Sequence, residues 1–488
     1  HDLSIENVDL LTGTLIGRPK SATFRTADIV GLDTMCFVSN TAHEKCENDS
    51  ERDIFKIPKF LKDMINSKSL GQKTGQGFYK KIEKGVIHSL DFSTMKYSPM
   101  NKKRYASIRI AKESVELNDR IKNLISVDDA CGNFIWESMA LTLIYAASLN
   151  GKISDDLLNI DCAMKWGFGW ELGPFEVLDA IDFKYFVERL EKENKKVPSL
   201  FTQIKESDLS SMYALIDGKK FYFDFNKNEY VPVVYHNKFM DYSSLKSSDK
   251  IIKSHWSATM VDLGENVAGI ELHSVLKPEL NPIDGSMMEV FGYAIDWVKE
   301  NKYKGLVISG DGANFCAGAN LTLILQACEH KDFEALDKLI NGLQQVFQLV
   351  RFCDFPVVSA PYGLVLGGGM EMIGCCDRRV ASAESYIGLV EVGVGLIPGA
   401  GGNLRILSNL SKKIKTGITG TLPLVQKAFE TIGFAKVATS AKQAQAYGYL
   451  TGDDKIVVNR DHIISEAKSM VLQLSNNYIV PEVESFKL

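Results

Sequence analysis

Two acidic residues and a run of glycines near the end of the chain have the types and spacing that proton transfer requires. Gly367, Gly368 and Gly369 are followed by Glu371, and a second acid, Glu391, lies in an apolar, glycine-rich stretch that ends in IPGAGG. Glycine has no Cβ atom, so a ligand can approach the main-chain N–H groups closely. A carboxyl group in apolar surroundings has a raised pKa and can hold or donate a proton near neutral pH. Together these features suit proton transfer beside a carbonyl group.

The glycines are predicted to lie where a strand, PVVSAPYGLVL, gives way to the helix MEMIGCCDRRV. The first turn of a helix has free N–H donors and positive dipole character, which stabilise an oxygen that gains negative charge. A second turn of small residues, GANFCAGANL at 312–321, also follows a predicted strand. It can bring another N–H group to the same oxygen, so we expect an oxyanion hole. Taken singly, glycine runs mostly make turns and a lone Glu mostly lies on the surface. The occurrence of the glycine run, the small-residue turn and the two acids together favours a catalytic site.

Three motifs in this region resemble the signatures of the crotonase (enoyl-CoA hydratase/isomerase) superfamily. They are NFCAGANL, YGLVLGGGMEM and GLVEVGVGLIPGAGG, and the resemblance covers roughly residues 256–488. It implies that the N–H groups of Ala319 and Gly368 hold a thioester oxygen. It also implies that Glu371 and Glu391 are the catalytic acids that add water to a trans-2-enoyl-CoA and form a 3-hydroxyacyl-CoA.

The same resemblance implies further contacts with the substrate, a coenzyme A thioester. Lys277, in ELHSVLKPELNPID, is a possible partner for a phosphate group, and the turn that follows the second strand adds Ala317, Asn320 and Leu321. Asn320 departs from the Asp that is usual in the family. The segment after it, LTLILQACEHKDFEALDKLI, is expected to wall the acyl pocket, with short acyl chains as the expected substrates.

The first half of the chain resembles the helical C-terminal domain of 3-hydroxyacyl-CoA dehydrogenases. The matching segments are ADIVGLDT, LKDMINSKSLGQKTGQGFYKK and, as a second copy of the unit, GFGWELGPFEVLDAI. An internal repeat supports two copies, because residues 5–33 and 156–182 both carry an Asp in a helix, a glycine-rich break, a Phe and an Asp four residues later.

The dehydrogenase family binds NAD in a nucleotide-binding domain that precedes these helices, and no such domain is recognisable here. No G-x-G-x-x-G motif follows a strand near the start. The chain begins with His1 inside a helical pattern, so we expect that a preceding segment was cleaved, deleted or not included. The resemblance implies that the intact parent oxidises or reduces 3-hydroxyacyl-CoA with NAD, whereas hydration in this chain needs no cofactor.

The predicted fold is multidomain. An all-α dehydrogenase domain of two pseudo-repeats covers residues 1–85 and 86–250, the latter including a linker best placed at DYSSLKSSDK. An α/β crotonase domain, a spiral of ββα units, covers residues 251–488. Its strands alternate with amphipathic helices, which favours a twisted core sheet.

Composition excludes several classes of function. A net charge of −5 over 488 residues does not favour nucleic-acid binding, the eight His residues show no metal-like clustering, and no apolar run is long enough to span a membrane. The nine Cys residues include no C-x-x-C pair. We therefore expect a cytoplasmic enzyme, and the crotonase resemblance implies a homo-oligomer. Double-bond isomerisation and a non-catalytic acyl-CoA-binding scaffold remain alternatives. Acyl chain length, pathway direction and oligomeric state stay open.

Overall fold

The computed structural model describes residues 3–100, 104–206, 209, 211–216, 219–275, 277–413 and 420–483. His1, on which the expectation of a preceding segment rests, lies outside these residues. The chain divides into two compact units, residues 1–233 and 234–488. In the described part of the chain, no helix is both long and apolar enough to cross a membrane.

The first unit is built mainly of helices, as the sequence predicts. They are α1 Ile5–Thr12, α2 Phe24–Val30, α3 Leu32–Lys45, α4 Lys59–Asn66, α5 Ala106–Glu113, α6 Leu117–Ser126, α7 Ala130–Leu149, α8 Leu157–Phe168, α9 Pro174–Ile181, α10 Phe183–Lys192 and α11 Ser199–Glu206. Two small antiparallel sheets accompany them: β1 Tyr79–Glu83, β2 Val86–Asp91 and β3 Lys96–Pro99, then β4 Tyr213–Ile216, β5 Lys219–Asp224 and β6 Glu229–Pro232.

The internal repeat is visible in the hydrogen bonds of two aspartates, Asp9 and Asp161. In the first copy, Asp9 on α1 accepts hydrogen bonds from the N–H groups of Phe24 (2.6 Å) and Arg25 (3.0 Å) at the start of α2. It also accepts one from the Tyr79 hydroxyl at 2.8 Å. One carboxylate thus joins two helices and the following strand.

The second copy repeats this arrangement on α8. Asp161 accepts hydrogen bonds from the N–H groups of Phe175 (2.8 Å) and Glu176 (3.0 Å) and from the Tyr213 hydroxyl (2.7 Å). Asp161 is only 1% exposed, and burial raises its pKa to about 7. Equivalent partners at equivalent positions support two copies of one helical unit.

The second unit contains two interleaved sheets. Seven strands form the first, in the order β16-β13-β11-β10-β9-β8-β7: β7 Ile251–Ser254, β8 Ala258–Gly264, β9 Val267–Leu272, β10 Gly305–Ser309, β11 Val357–Ser359, β13 Arg378–Ser382 and β16 Lys455–Val457. The second has the order β12-β14-β15: β12 Gly363–Leu366, β14 Ser385–Gly388 and β15 Val437–Ala438. From β11 to β14 the chain alternates between the sheets, as in the predicted spiral, and β15 then pairs with β14 before β16 returns to the first sheet.

Helices cover these sheets and enclose one hydrophobic core. They are α12 Tyr242–Ser247, α13 Gly285–Glu300, α14 Leu321–Glu329, α15 Phe333–Phe352, α16 Gly368–Cys375, α17 Gly402–Ser411, α18 Leu422–Gly433, α19 Ala441–Tyr447 and α20 Ile463–Ser475. Strands β9 to β11 are buried along their whole length, as expected of parallel strands with both faces covered.

The stretch predicted as a linker, residues 241–250, instead begins with helix α12. The Tyr242 side chain is fully buried in the core of the second unit. The Asp311 carboxylate accepts hydrogen bonds from the N–H groups of Tyr242 (3.1 Å) and Ser243 (2.9 Å), and Lys246 pairs with the buried Glu271 at 2.8 Å. The polar composition of this stretch therefore conceals a docked helix, and the linker prediction is wrong here.

The domain boundaries that the sequence suggests differ from the divisions that the structure favours. Strands β1, β2 and β3 pair across residue 85, and the compact units divide after residue 233 rather than after residue 250. As statements about domains, the boundaries at 85 and 250 stay predictions.

The aspartate at the centre of the second repeat provides a test of this packing. We expect Asp161→Ala to lower the free energy of unfolding by about 3 kcal/mol, because three donors that are buried or partly buried lose their acceptor. Asp156, the N-cap of α8, accepts hydrogen bonds from the main-chain N–H group (2.7 Å) and the side-chain amide (2.9 Å) of Asn159, both solvent-exposed, so Asp156→Ala should cost about 1 kcal/mol. Urea unfolding of both variants measures the difference, and equal losses would contradict the central role of Asp161.

Candidate active site

A tight turn at Gly367 joins strand β12 to helix α16. Gly367 has φ +52° and ψ −124°, a conformation that side chains exclude. Its N–H group donates a 2.9 Å hydrogen bond to the carbonyl oxygen of Gly388 at the end of β14. A Cβ atom on Gly367 would lie 3.4 Å from Oε1 of Glu391. The turn therefore brings bare backbone against the second predicted acid.

The loop that follows β10 packs directly against this turn. The Cys316 carbonyl accepts a hydrogen bond from the N–H group of Leu366 at 3.0 Å, and a Cβ atom on Gly369 would lie 2.3 Å from that same carbonyl oxygen. No side chain fits at such a distance, so residue 369 has to be glycine. The two small-residue segments that the sequence singles out are thus held in contact.

The amides of Ala319 and Gly368 are neighbours across this contact. A Cβ atom on Gly368 would lie 3.5 Å from the Ala319 nitrogen, and one on Gly318 would lie 3.3 Å from the Gly368 nitrogen. The Gly318 carbonyl accepts a hydrogen bond from the Ile283 N–H group at 2.9 Å. Within the described residues, neither the Ala319 nor the Gly368 N–H group donates an internal hydrogen bond. Both donors remain available to a ligand.

Glu371 lies in the first turn of α16 and is held by a second loop. The side chain is 4% exposed, and its Oε1 accepts hydrogen bonds from the N–H groups of Ala400 (2.8 Å) and Gly402 (2.9 Å). Burial raises the pKa of this carboxyl, and the two hydrogen bonds oppose that rise. The loop thereby fixes the orientation of Glu371 and favours its ionised form relative to an unbonded carboxyl.

Glu391 has a different environment. It begins a 3₁₀ turn, Glu391–Val394, shortly after β14, and both of its carboxyl oxygens are shielded from solvent. Among the described residues, neither oxygen has a hydrogen-bond partner at normal distance and angle. Burial raises the pKa of Glu391 to about 7, the negative charge of Glu371 contributes to the rise, and the nearby main-chain N–H groups of Glu391 and Val390 oppose it in part. The two carboxyls therefore interact electrostatically, and they differ in their affinity for a proton.

The other predicted contact residues lie on the two loops that border this region. The Ala317 N–H group donates to the Leu280 carbonyl at 2.8 Å, so that amide is already paired. Asn320 caps helix α14 through its side chain, which accepts a hydrogen bond from the Thr322 N–H group at 3.1 Å. Leu321 is 49% exposed, and the Lys277 side chain is also exposed, on the loop that pairs with Ala317.

The sequence does not predict the residues that hold Glu371. Ala400 and Gly402 belong to the IPGAGG segment, which in the sequence is an apolar flank of Glu391, yet their amides bind Glu371. The signal was present in the small residues, since a backbone that approaches a carboxylate this closely has to lack bulk. Across the residues that the structure describes, no group of His, Cys, Asp and Glu could hold a metal ion.

Two parts of the chain match known protein families. Residues 262–428 match the family model Enoyl-CoA hydratase/isomerase, and residues 1–81 match 3-hydroxyacyl-CoA dehydrogenase, C-terminal domain. A probable 3-hydroxyacyl-CoA dehydrogenase of Bacillus subtilis is 39% identical over 98% of this chain and 59% of its own length. The chain thus spans less than two thirds of that relative.

Two shorter matches fall on other proteins. A crotonyl-CoA hydratase of Syntrophomonas wolfei is 40% identical over 21% of this chain and 38% of its own length. The crystal structure of an enoyl-CoA hydratase from Bacillus anthracis covers 45% of this chain and 77% of its own, at 23% identity and a TM-score of 0.38.

The unpaired carboxyl of Glu391 predicts a measurable cost in stability. Because its pKa in the folded protein lies above that of an unfolded Glu, the folded state binds more protons between pH 4.5 and 7 and loses stability as pH rises through that window. We expect Glu391→Gln to raise the free energy of unfolding at pH 8 by about 1 to 2 kcal/mol, after allowance for partial solvent screening, and to change little at pH 4.5. Urea unfolding at both pH values measures the change in the free energy of unfolding. An equal change at pH 8 and pH 4.5 would contradict the raised pKa of Glu391.

Proposed function

On the premise that the chain joins a 3-hydroxyacyl-CoA dehydrogenase C-terminal domain to an enoyl-CoA hydratase/isomerase domain, we propose that it hydrates trans-2-enoyl-CoA to 3-hydroxyacyl-CoA. The observation that carries this proposal is the pair of solvent-shielded carboxyls, of Glu371 and Glu391, near two unpaired amides. Hydration needs a group that removes a proton from water and a group that gives a proton to carbon, and the site has one carboxyl suited to each.

The amides of Ala319 and Gly368 polarise the substrate in this mechanism. They donate hydrogen bonds to the thioester oxygen, which gains negative charge as the conjugated double bond is attacked. Donors fixed in position stabilise that charge without reorganising during the reaction. The Gly368 amide opens helix α16, so the helix dipole adds to its effect.

Glu371 and Glu391 divide the proton transfers. Ionised Glu371, held by the amides of Ala400 and Gly402, takes one proton from water while the water oxygen bonds to the β-carbon of the substrate. The electron pair of the double bond moves through the α-carbon toward the thioester oxygen. Protonated Glu391 then gives its proton to the α-carbon, and the thioester carbonyl is restored. Return of a proton from Glu371 to Glu391 restores the enzyme, and the net change is the addition of one water molecule.

The bordering loops are proposed to contact the coenzyme A portion. Lys277 is exposed and would meet a phosphate group, while Ala317, Asn320 and Leu321 would line the path of the thioester arm. The pairing of Ala317 with Leu280 supports this, because it holds the loop of Lys277 beside the loop of the oxyanion amide. Hydration by these residues requires no cofactor.

The whole protein is proposed to carry a second activity on the same intermediate. The Bacillus subtilis relative is named as a probable 3-hydroxyacyl-CoA dehydrogenase, and 3-hydroxyacyl-CoA is the product of hydration. Oxidation of that product would use NAD. The described residues of the first unit form helices and antiparallel sheets, with no parallel strand–helix–strand unit to receive a dinucleotide, so no NAD step is assigned to them. A homo-oligomer in the cytoplasm also remains a proposal.

Substitution of the two acids tests the proposed reaction. We expect Glu371→Gln and Glu391→Gln each to lower kcat for hydration of crotonyl-CoA by a factor of about 100 to 10,000, because each removes one proton-transfer group. Loss of crotonyl-CoA absorbance measures the rate. Glu384→Gln, on the exposed turn between β13 and β14, is the matched control and should keep full activity. Near-unchanged rates in both site variants would end the assignment.

The two acids also predict a pH dependence. A proton donor has to be protonated, so kcat/KM for hydration should fall as pH rises past about 7, where Glu391 loses its proton. The measurement is the initial rate at low substrate between pH 5 and 9. A rate that stays level from pH 6 to 9 would show that Glu391 is not the proton donor. Assay of a 3-enoyl-CoA in parallel separates hydration from isomerisation, since preference for that substrate would favour the isomerase alternative.

A further inference from the structure

A buried hydroxyl group lies at the point where the chain leaves strand β14 for Glu391. Tyr449, just after helix α19, is fully buried. Its hydroxyl donates a hydrogen bond to the Lys436 carbonyl oxygen at 2.6 Å and accepts one from the Leu389 N–H group at 3.3 Å. Leu389 directly follows β14, and Lys436 directly precedes β15. The hydroxyl therefore bridges the two strands beyond their last paired residues.

This end of β14 supports two parts of the site at once. Gly388 is paired with Val437 of β15, and its carbonyl oxygen accepts the hydrogen bond from Gly367 that shapes the oxyanion turn. Only Leu389 and Val390 separate Gly388 from Glu391. Any displacement of the Leu389 amide would thus be transmitted to the Glu391 carboxyl, which has no hydrogen bond of its own among the described residues.

The phenol group acts as a fixed hydrogen-bonding group. Burial raises the pKa of Tyr449 to about 12, and the negative charge of Glu391 adds to that rise. At neutral pH the hydroxyl keeps its proton and donates a hydrogen bond to the Lys436 carbonyl oxygen. It therefore supports the backbone of Glu391 and takes no part in proton transfer.

We propose that Tyr449 is a positioning residue for Glu391, which it holds at the reacting carbon by anchoring Leu389 to the backbone before β15. This inference rests on the proposed hydration and deepens it. Glu391 is the acid without a hydrogen-bonded clamp, whereas Glu371 is held through its own carboxyl oxygen. Tyr449 supplies through the main chain the restraint that Glu391 lacks at its side chain.

The test is a comparison of Tyr449→Phe with Tyr447→Phe in the full chain. Tyr447 is the matched control, because its ring lies 6.3 Å from that of Tyr449 and its hydroxyl accepts a hydrogen bond only from the Gln443 side chain among the described residues. We expect Tyr449→Phe to lower kcat for crotonyl-CoA hydration about tenfold with KM changed less than about twofold. Tyr447→Phe should match the unchanged protein.

The pH profile separates a positioning role from a structural one. The titratable groups that face Glu391 in the described chain are the Glu371 carboxyl and the Tyr449 hydroxyl. In Tyr449→Phe, the loosened segment admits water to Glu391, so the midpoint of its kcat/KM profile should move below the unchanged protein's value toward ordinary carboxyl pKa values. Simple loss of folded protein lowers the rate without moving this midpoint, so an unmoved midpoint overturns the inference.

Failure of this inference differs from failure of the proposed function. If Glu391→Gln is inactive but Tyr449→Phe equals Tyr447→Phe in kcat and midpoint, hydration stands and the role of Tyr449 is overturned. If Glu391→Gln keeps the hydration rate of the unchanged protein, Glu391 is not a catalytic acid and the role of Tyr449 is overturned with it. The proposed hydration fails only if Glu371→Gln keeps that rate as well.

Discussion

Two loops of the second unit approach so closely that only glycine fits between them, and the rest of the site depends on this approach. A side chain at Gly369 would collide with the Cys316 carbonyl, and Gly367 adopts a backbone conformation that side chains exclude. The same lack of bulk keeps the amides of Ala319 and Gly368 adjacent and unpaired. A thioester oxygen is the group that such a pair of donors would stabilise in an enoyl-CoA hydratase/isomerase domain.

The two carboxyls differ because the backbone around them differs. Glu371 accepts two N–H bonds, whereas Glu391 is buried without a partner among the described residues. A buried carboxyl without partners costs folding free energy, and proteins keep such groups where function needs them. The loss of folding free energy at Glu391 and the ability of this carboxyl to donate a proton near neutral pH have the same cause. The carboxyl is excluded from water and from hydrogen-bond donors.

The candidate site could be predicted from the sequence to the extent that it depends on residue types in short segments. The motifs that predict the amides of Ala319 and Gly368 and the acids Glu371 and Glu391 are about ten residues long. The helical repeat extends over residues 5–33 and 156–182, and its aspartates Asp9 and Asp161 keep equivalent partners. The supports were not readable, because their partners are distant in the chain. Glu371 and Ala400 are 29 residues apart, Leu389 and Tyr449 are 60 apart, and Tyr242 and Asp311 are 69 apart. Only tertiary structure brings such pairs together, which is also why the docked helix α12 resembled a linker.

The most direct test of the account is the vibrational frequency of the thioester carbonyl in the bound substrate. Crotonyl-CoA labelled with ¹³C at that carbon, bound to the Glu371→Gln variant, can be measured by Raman difference spectroscopy before the slowed reaction consumes it. If the amides of Ala319 and Gly368 donate to the thioester oxygen, the C=O stretch should move to lower frequency on binding. A bound substrate whose C=O frequency equals that in water would contradict the central claim.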